Sequence, residues 1–330
     1  MTTDTSPLVK RLAVVTTSYP SIDDDAAGHF VRAEVRIQIN QGHSVTVFAP
    51  SARRDVANNA EEMVEIPHFG AFGTPGVLAR LRGRPDRWLG STLFLARARL
   101  QLFARNEFNE VIAHFILPSY WPIAAGHPKV SRVVVHGSDL ELLERLPSPI
   151  RARAIACLIR DNPAIQCVSQ SLADRFDELT SHQLQARIVV ESATIELPNL
   201  PNRSELRRNL AIDDRPLILV VARLIPSKRV EVALRAALQV PRAQIVVCGG
   251  GPLYQSLSRI FPGVRFLGPL PRVQTLKWIA AADVLLSASR TEGAPTAIRE
   301  ARALGVPVIT TAAGDLLTWA TNDPGLHVVP

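Results

Sequence analysis

Aromatic residues are scarce in this chain: eleven Phe, four Trp and three Tyr make up 5% of 330 residues. Ala, Val, Leu and Ile fill the apolar positions instead, which suits helices packed on buried sheets. There is no Lys/Arg block with interleaved aromatics, so a nucleic-acid footprint is excluded. The three cysteines, Cys157, Cys167 and Cys248, have no metal-binding spacing, and nothing in them asks for an oxidising compartment. No carboxylate cluster has metal-ligand spacing either, since Asp23–Asp25 reads as a surface run, and no metal is expected. No apolar stretch approaches the roughly 20 residues of a membrane-spanning helix. The opening MTTDTSPLVKRLAVVTTSYP holds one short apolar run with no small-residue cleavage site behind it. It reads as a first strand rather than a signal peptide, and a cytoplasmic location is expected.

What is present is globular: 47% hydrophobic and 20% charged residues, in a length that suits two domains of ordinary size. The net charge of +7 favours anionic partners, here phosphorylated small molecules or anionic lipid. Short β-branched runs alternate with helix-length segments throughout. In the first half the strand candidates are 11–17, 44–49, 110–115, 132–136 and 164–169, with helices over 31–40 and 91–106. The pattern breaks at LPNLPNR (197–203) and restarts with strands at 217–224, 244–250, 264–268, 283–289 and 306–311. The expectation is α/β: parallel sheets covered on both faces, in domains 1–198 and 199–330 joined by a hinge, with a cleft between them. Open parallel sheets bind ligands beyond the carboxyl ends of their strands, so the loops there hold the candidate chemistry.

Three such loops stand out in the second half. After LILVVARL, Arg223 ends a strand and Lys228 opens a helix with Ser227 as its expected N-cap. Two cations at a helix N-terminus make a site for a diphosphate, although taken alone they read more readily as solvated loop residues. VCGGGP places Gly249, Gly250 and Gly251 after a strand, either for close backbone approach to a ligand or simply for a tight turn. The G-x-G-x-x-G spacing is missing, which disfavours a dehydrogenase. In SRTEGAPTAIREARALGVPVITT, Gly293 and Pro295 fit a helix start, and the helix stops at Gly305. Glu292 then precedes the helix and Glu300 lies on its second turn. The two carboxylates bracket a ligand roughly 10 Å long, the reach of a sugar joined to a nucleoside through a diphosphate. The plain alternative makes Glu300 an exposed acid paired with Arg299 or Arg302.

The segment EGAPTAIREARALGVPVITT resembles the E-x7-E segment of glycosyltransferase family 4, retaining nucleotide-sugar enzymes of the GT-B fold. VARLIPSK, VCGGGP and FLGPL follow the family order, and SYPSIDDDAAGHFVRAEV, GHSVTVFAP, AHFILP and VVHGSDL in the first half are also similar. Members acting in exopolysaccharide or teichuronic-type polymer synthesis are the nearest in pattern. The resemblance implies two Rossmann-like domains, an N-terminal acceptor domain and a C-terminal donor domain, with sheets facing a central cleft. It also implies that Glu300 holds the donor ribose, Glu292 contacts the transferred sugar, and Arg223 and Lys228 neutralise the diphosphate. Gly249 and Leu270 would lie near the base, and Gly293 and Pro295 would present the helix N-terminus. Gly28 would let the first loop approach the phosphates, and His136 would face the sugar across the cleft. Asp139 in HGSD would assist, with His114 a weaker candidate.

No cofactor is expected beyond the nucleotide-sugar co-substrate. The implied partners are that donor, a lipid-linked or polysaccharide acceptor, and the inner face of an anionic membrane, met through residues 51–90. Chains of this family continue past the region matching LHVVP with further helices, so the donor domain is expected to be incomplete. Two other functions fit the same residues. A non-catalytic nucleotide-binding or regulatory subunit would bind nucleotide without transfer, and a nucleotide-sugar epimerase would alter free donor without an acceptor.

Overall fold

The protein is described by a computed structural model over residues 9–20, 25, 27–50, 62–68 and 85–330. The described residues fall into two compact units, the second taking in Ile195–Pro330. The division falls at Thr194/Ile195, against the 198/199 of the sequence reading.

The first unit carries a seven-stranded parallel sheet. Its strands are β1 (Arg11–Val15), β2 (Ser44–Pro50), β3 (Glu62–Ile66), β4 (Glu110–His114), β5 (Val130–Val135), β6 (Ala164–Cys167) and β7 (Ile188–Val190). The helices are α1 (His29–Asn40), α2 (Pro85–Phe103), α3 (Ser138–Arg145), α4 (Ser148–Asp161) and α5 (Gln170–Leu179). The order β3-β2-β1-β4-β5-β6-β7 reverses direction between β1 and β4. Alternate β1 side chains Leu12 and Val14 pack with Val45 and Val47 of β2 under Val31 and Val35 of α1. Strands β3 and β7 were missed in the sequence. EMVEI alternates charge with apolar residues, and IVV is a three-residue edge strand whose two valines are exposed, so neither has the long apolar run of a central strand.

The second unit repeats the plan with six parallel strands: β8 (Leu217–Val221), β9 (Gln244–Cys248), β10 (Arg265–Gly268), β11 (Val284–Ser287), β12 (Val308–Thr311) and β13 (Leu326–Val329). Its helices are α6 (Arg203–Asn209), α7 (Val230–Ala237), α8 (Tyr254–Ile260), α9 (Arg272–Ala281), α10 (Thr296–Ala303) and α11 (Leu316–Ala320). The connector ends where Asn202 caps α6, its side-chain oxygen accepting from Glu205 N at 3.0 Å. On β8, Leu217 and Leu219 face one apolar layer with Leu276 and Ile279 of α9 and Ile298 of α10. Ile218 and Val220 face the other, with Val230, Ala233 and Leu234 of α7. Burial on both faces explains the unbroken apolar strands, and each such side chain contributes about 1.5–3 kcal/mol. Strand order β10-β9-β8-β11-β12-β13 reverses between β8 and β11.

Candidate functional site

A sheet whose order reverses sends the loops after its two central strands to opposite faces, leaving a crevice at their carboxyl ends. In the second unit those loops follow β8 and β11, and they carry Arg223, Lys228, Glu292, Gly293 and Pro295. Lys228 Nζ reaches Glu292 Oε1 at 2.6 Å, with side chains only 19% and 10% exposed. Arg290 N donates to Ser227 O at 2.9 Å, fastening the same two loops through the backbone. The switch point is therefore bridged by a largely desolvated ion pair.

Lys228 does not open a helix. Pro226–Lys228 form one tight turn, Arg229 takes a left-handed conformation at φ 47, and α7 starts at Val230 without a side-chain cap. Ser227 thus caps nothing, because the left-handed residue between it and the helix turns its side chain out of register. Arg223 lies exposed two residues beyond β8.

The helix after β11 matches the sequence reading closely. Pro295 occupies the N-cap of α10, buried and without a side-chain hydrogen bond to the first turn. Gly293 is half-buried in the loop before it. The first backbone N–H groups of α10 and its dipole face the end of the sheet, where they favour an anion.

Glu300 is 5% exposed, on the side of α10 that carries Ile298 and Ala301. Arg272, the first residue of α9, donates to its Oε1 at 2.8 Å and also to Glu196 O at 2.7 Å. Glu300 is therefore buried rather than exposed, and Arg302 does not hold it: Arg302 is engaged by Asp323 at 2.8 Å, and Arg272 reaches Glu300 from another helix. Burial raises the Glu300 carboxyl above its ordinary range, and the charges of Arg272 and Arg299 oppose that shift without cancelling it. Arg272 was missed because nothing local to PLPRVQ marks it; only the packing of α9 on α10 brings it to Glu300.

The glycines after β9 answer to backbone, not to space for a ligand alone. Gly249 has φ 141, and a Cβ there would lie 1.9 Å from Ala222 O. Its N–H donates to Gly268 O at 2.8 Å, while Leu224 N donates to Gly250 O at 2.8 Å. The loops after β8, β9 and β10 are thus laced together, and Leu270, in the last of them, packs partly buried on the core. Gly314 is held in the same way, at φ 56 with a would-be Cβ 2.4 Å from Glu292 O. The loop after β12 therefore props the backbone of Glu292.

In the first unit the reversal lies between β1 and β4. Gly28 stands at the N-cap of α1 with φ 69, and a Cβ there would lie 2.3 Å from Ser18 O in the loop after β1. Past β5, His136 keeps partial exposure between the rings of Phe30 and Phe115, at centroid distances of 4.7 and 4.6 Å. Asp139 is 2% exposed and accepts from three backbone N–H groups: Ile116 at 2.8 Å, Gly137 at 2.9 Å and His136 at 3.0 Å. That gives the acid of HGSD a definite task, the bracing of the loops after β4 and β5. Burial raises its carboxyl above the ordinary range, against the pull of those N–H groups. His114 packs against His136 and is buried, so it cannot meet a ligand directly.

Two parallel-sheet, Rossmann-like units, each with its candidate residues beyond the strand ends, define the GT-B class of glycosyltransferase fold. Residues 202–330, within the second unit, match the family described as "Glycosyl transferases group 1". Along most of its length the chain is similar to TuaC of Bacillus subtilis, a glycosyltransferase ascribed to teichuronic acid biosynthesis: 26% identity over 97% of this chain and 85% of the relative. Among solved structures it resembles sucrose-phosphate synthase from Thermosynechococcus elongatus, with TM-score 0.71 and 17% identity over 97% of this chain and 86% of that one. HepE from Anabaena, solved with UDP-glucose, gives TM-score 0.66 and 16% identity over 94% and 82%. At those identities the structural likeness speaks for the fold.

Proposed function

We propose that this chain is a retaining glycosyltransferase that moves a sugar from a nucleotide-sugar donor to a lipid-linked or polysaccharide acceptor. The observation that carries the reading is the Lys228–Glu292 pair across the β8/β11 switch point, with the N-terminus of α10 beside it and Glu300 on the second turn of that helix. A departing nucleoside diphosphate gains negative charge as the glycosidic bond breaks. Arg223, Lys228 and the first N–H groups of α10 stabilise that charge more in the transition state than in the bound donor. Glu300 accepts the ribose hydroxyls, and Glu292 contacts the transferred sugar. His136 meets a hydroxyl of that sugar, Gly249 and Leu270 lie towards the base, and Gly28 faces the phosphates. The relative solved with UDP-glucose supports a nucleotide-sugar donor, and the one named for teichuronic acid supports a polymer acceptor. The departing phosphate helps to deprotonate the acceptor on the same face, with no metal required.

The reading extends to peripheral contact with an anionic membrane. Leu89, Leu93 and Leu100, all exposed, recur along one face of α2, in a chain of net charge +7. Of the segment 51–90 expected to make this contact, residues 51–61 and 69–84 lie outside the described residues. Among the described residues no helix is long and apolar enough to cross a membrane. Liposome co-sedimentation that rises with anionic lipid and falls with salt is expected, and indifference to both removes this part of the reading.

Calorimetric titration with UDP, GDP, ADP and their sugar conjugates tests the donor site. Tight binding of one nucleotide, followed by NMR assignment of the product's anomeric configuration, is the expected course. Binding without transfer would favour a non-catalytic subunit, a changed donor without acceptor would favour an epimerase, and no binding to a folded sample would defeat the proposal.

A further inference from the structure

Beneath α1, four polar side chains of the first unit run end to end. Arg132 of β5 hydrogen-bonds one carboxylate oxygen of Glu34 on α1. The other oxygen lies 3.5 Å from Nε2 of His114. On the far side of that ring, His114 Nδ1 is 3.2 Å from Nε2 of His136, and the two imidazoles stack at 5.4 Å with an angle of 19° between their planes. His114 is 1% exposed, so solvent does not compete for its nitrogens.

Burial keeps both rings neutral: it lowers His114 to about 3, and it carries His136 well below the ordinary value with His114 as a further cause. Two neutral imidazoles facing each other nitrogen to nitrogen share one proton, so the pair has two arrangements. Either His114 Nδ1 donates, or His136 Nε2 does. If His114 Nδ1 donated, its other nitrogen would turn a lone pair towards the Glu34 carboxylate. If His136 Nε2 donates, His114 carries its proton on Nε2 and presents N–H to that carboxylate instead. The 3.5 Å separation is too long for a hydrogen bond, and His114 Nε2 makes none. In a site this poor in water the electrostatic sign still separates the two arrangements. Burial raises the Glu34 carboxyl above the ordinary range, and the charge and hydrogen bond of Arg132 favour its ionised form against that shift.

We infer that Glu34 and His114 are positioning residues that lock His136 into its Nε2-protonated tautomer, leaving Nδ1 as a hydrogen-bond acceptor. A neutral acceptor suits a hydroxyl group and rejects a phosphate. Only the identification of that hydroxyl with a sugar rests on the proposed function; the tautomer does not. The tilted packing of Phe30 and Phe115 against the ring and the Asp139 bond to its backbone N–H fix the orientation in which the lone pair is offered.

The test is a long-range 1H–15N correlation spectrum of the whole chain with 15N-labelled histidine. The His136 and His114 signals are assigned by their loss in His136→Gln and His114→Phe. The expected result is a protonated Nε2 and an unprotonated Nδ1 on His136, and a protonated Nε2 on His114. A protonated Nδ1 on His136 would overturn the inference. His114→Phe keeps the stacked ring and removes the acceptor, so His136 should then average between tautomers. Sugar transfer should slow about tenfold, the loss of one hydrogen bond's worth of orientation, with donor affinity unchanged. A His136 tautomer unaffected by that substitution would also overturn it. A chain that binds no nucleotide would defeat the proposed function and leave these spectra to decide the tautomer on their own.

Discussion

The two switch points share a backbone plan and carry opposite electrostatics. At β8/β11 in the second unit, ions are matched to ions: Lys228 with Glu292, and nearby Arg272 with Glu300. Beside β1/β4 in the first unit, the groups at the ends of β4 and β5 are neutral imidazoles, and the buried acid Asp139 is spent on backbone N–H groups. The comparison teaches that the α/β sheet supplies only a place. Whether that place meets a diphosphate or a hydroxyl is set by a few side chains and by their desolvation. Backbone glycines, in contrast, serve both units alike, packing one loop on another's carbonyl at Gly28 and at Gly249.

That likeness breaks first under a methyl group. Gly249→Ala should cost about 3 kcal/mol or more, since it combines a forbidden φ with a collision against a backbone carbonyl that cannot move aside. Thermal unfolding followed by circular dichroism measures it, and a midpoint near wild type would show that the loops after β8 and β9 are not laced as described. Gly28→Ala meets Ser18 O at 2.3 Å and should be damaging by the same mechanism.

Asp139→Ala leaves three N–H groups, one buried and two half-buried, without their acceptor and should destabilise the first unit by about 2–3 kcal/mol. Denaturant titration reads that loss. A change below 1 kcal/mol would mean that water replaces the carboxylate.

Glu300→Gln sharpens the contrast between charged and neutral sites. It keeps an oxygen for Arg272 but removes the ionised acceptor, so nucleotide affinity should fall about tenfold in calorimetry. Because the folded carboxyl is raised, it begins to protonate at a higher pH than an ordinary glutamate, whose value is 4.5. Nucleotide affinity of the wild type should therefore weaken as pH drops towards that value from above, and the Gln variant should lack this dependence. The same raised value means that ionising Glu300 costs the fold stability as pH rises through the window. Glu292→Gln should instead reduce transfer more than donor affinity, measured as kcat against KM.

The smallest effect is expected at Arg302, which holds Asp323 below the usual carboxylate range. A depressed acid stabilises the fold above its unfolded value of about 3.9 and loses that contribution as pH falls. Arg302→Ala should remove under about 1 kcal/mol near neutrality, a difference that shrinks as pH falls through the depressed range of Asp323. A large loss at neutral pH would mean that Arg302 supports the β12–β13 edge by more than this ion pair.

The sequence by itself determined the two-unit parallel α/β plan, nine central strands and the edge strand β10, and the helix that starts at Pro295 and ends before Gly305. These are local properties: apolar runs buried on both faces, and proline and glycine placed where backbone geometry permits them. Strands β3, β7 and β13 escaped because edge strands lack that double burial. Tertiary structure alone decided which ions pair and which acids are buried. Glu300 meets Arg272 from 28 residues away, and Lys228 meets Glu292 from 64. His114 and His136 face each other because β4 and β5 are neighbours in the sheet. Desolvation and pairing depend on three-dimensional neighbours that no spacing along the chain encodes, and those neighbours give the same kind of loop its charge in one unit and its neutrality in the other.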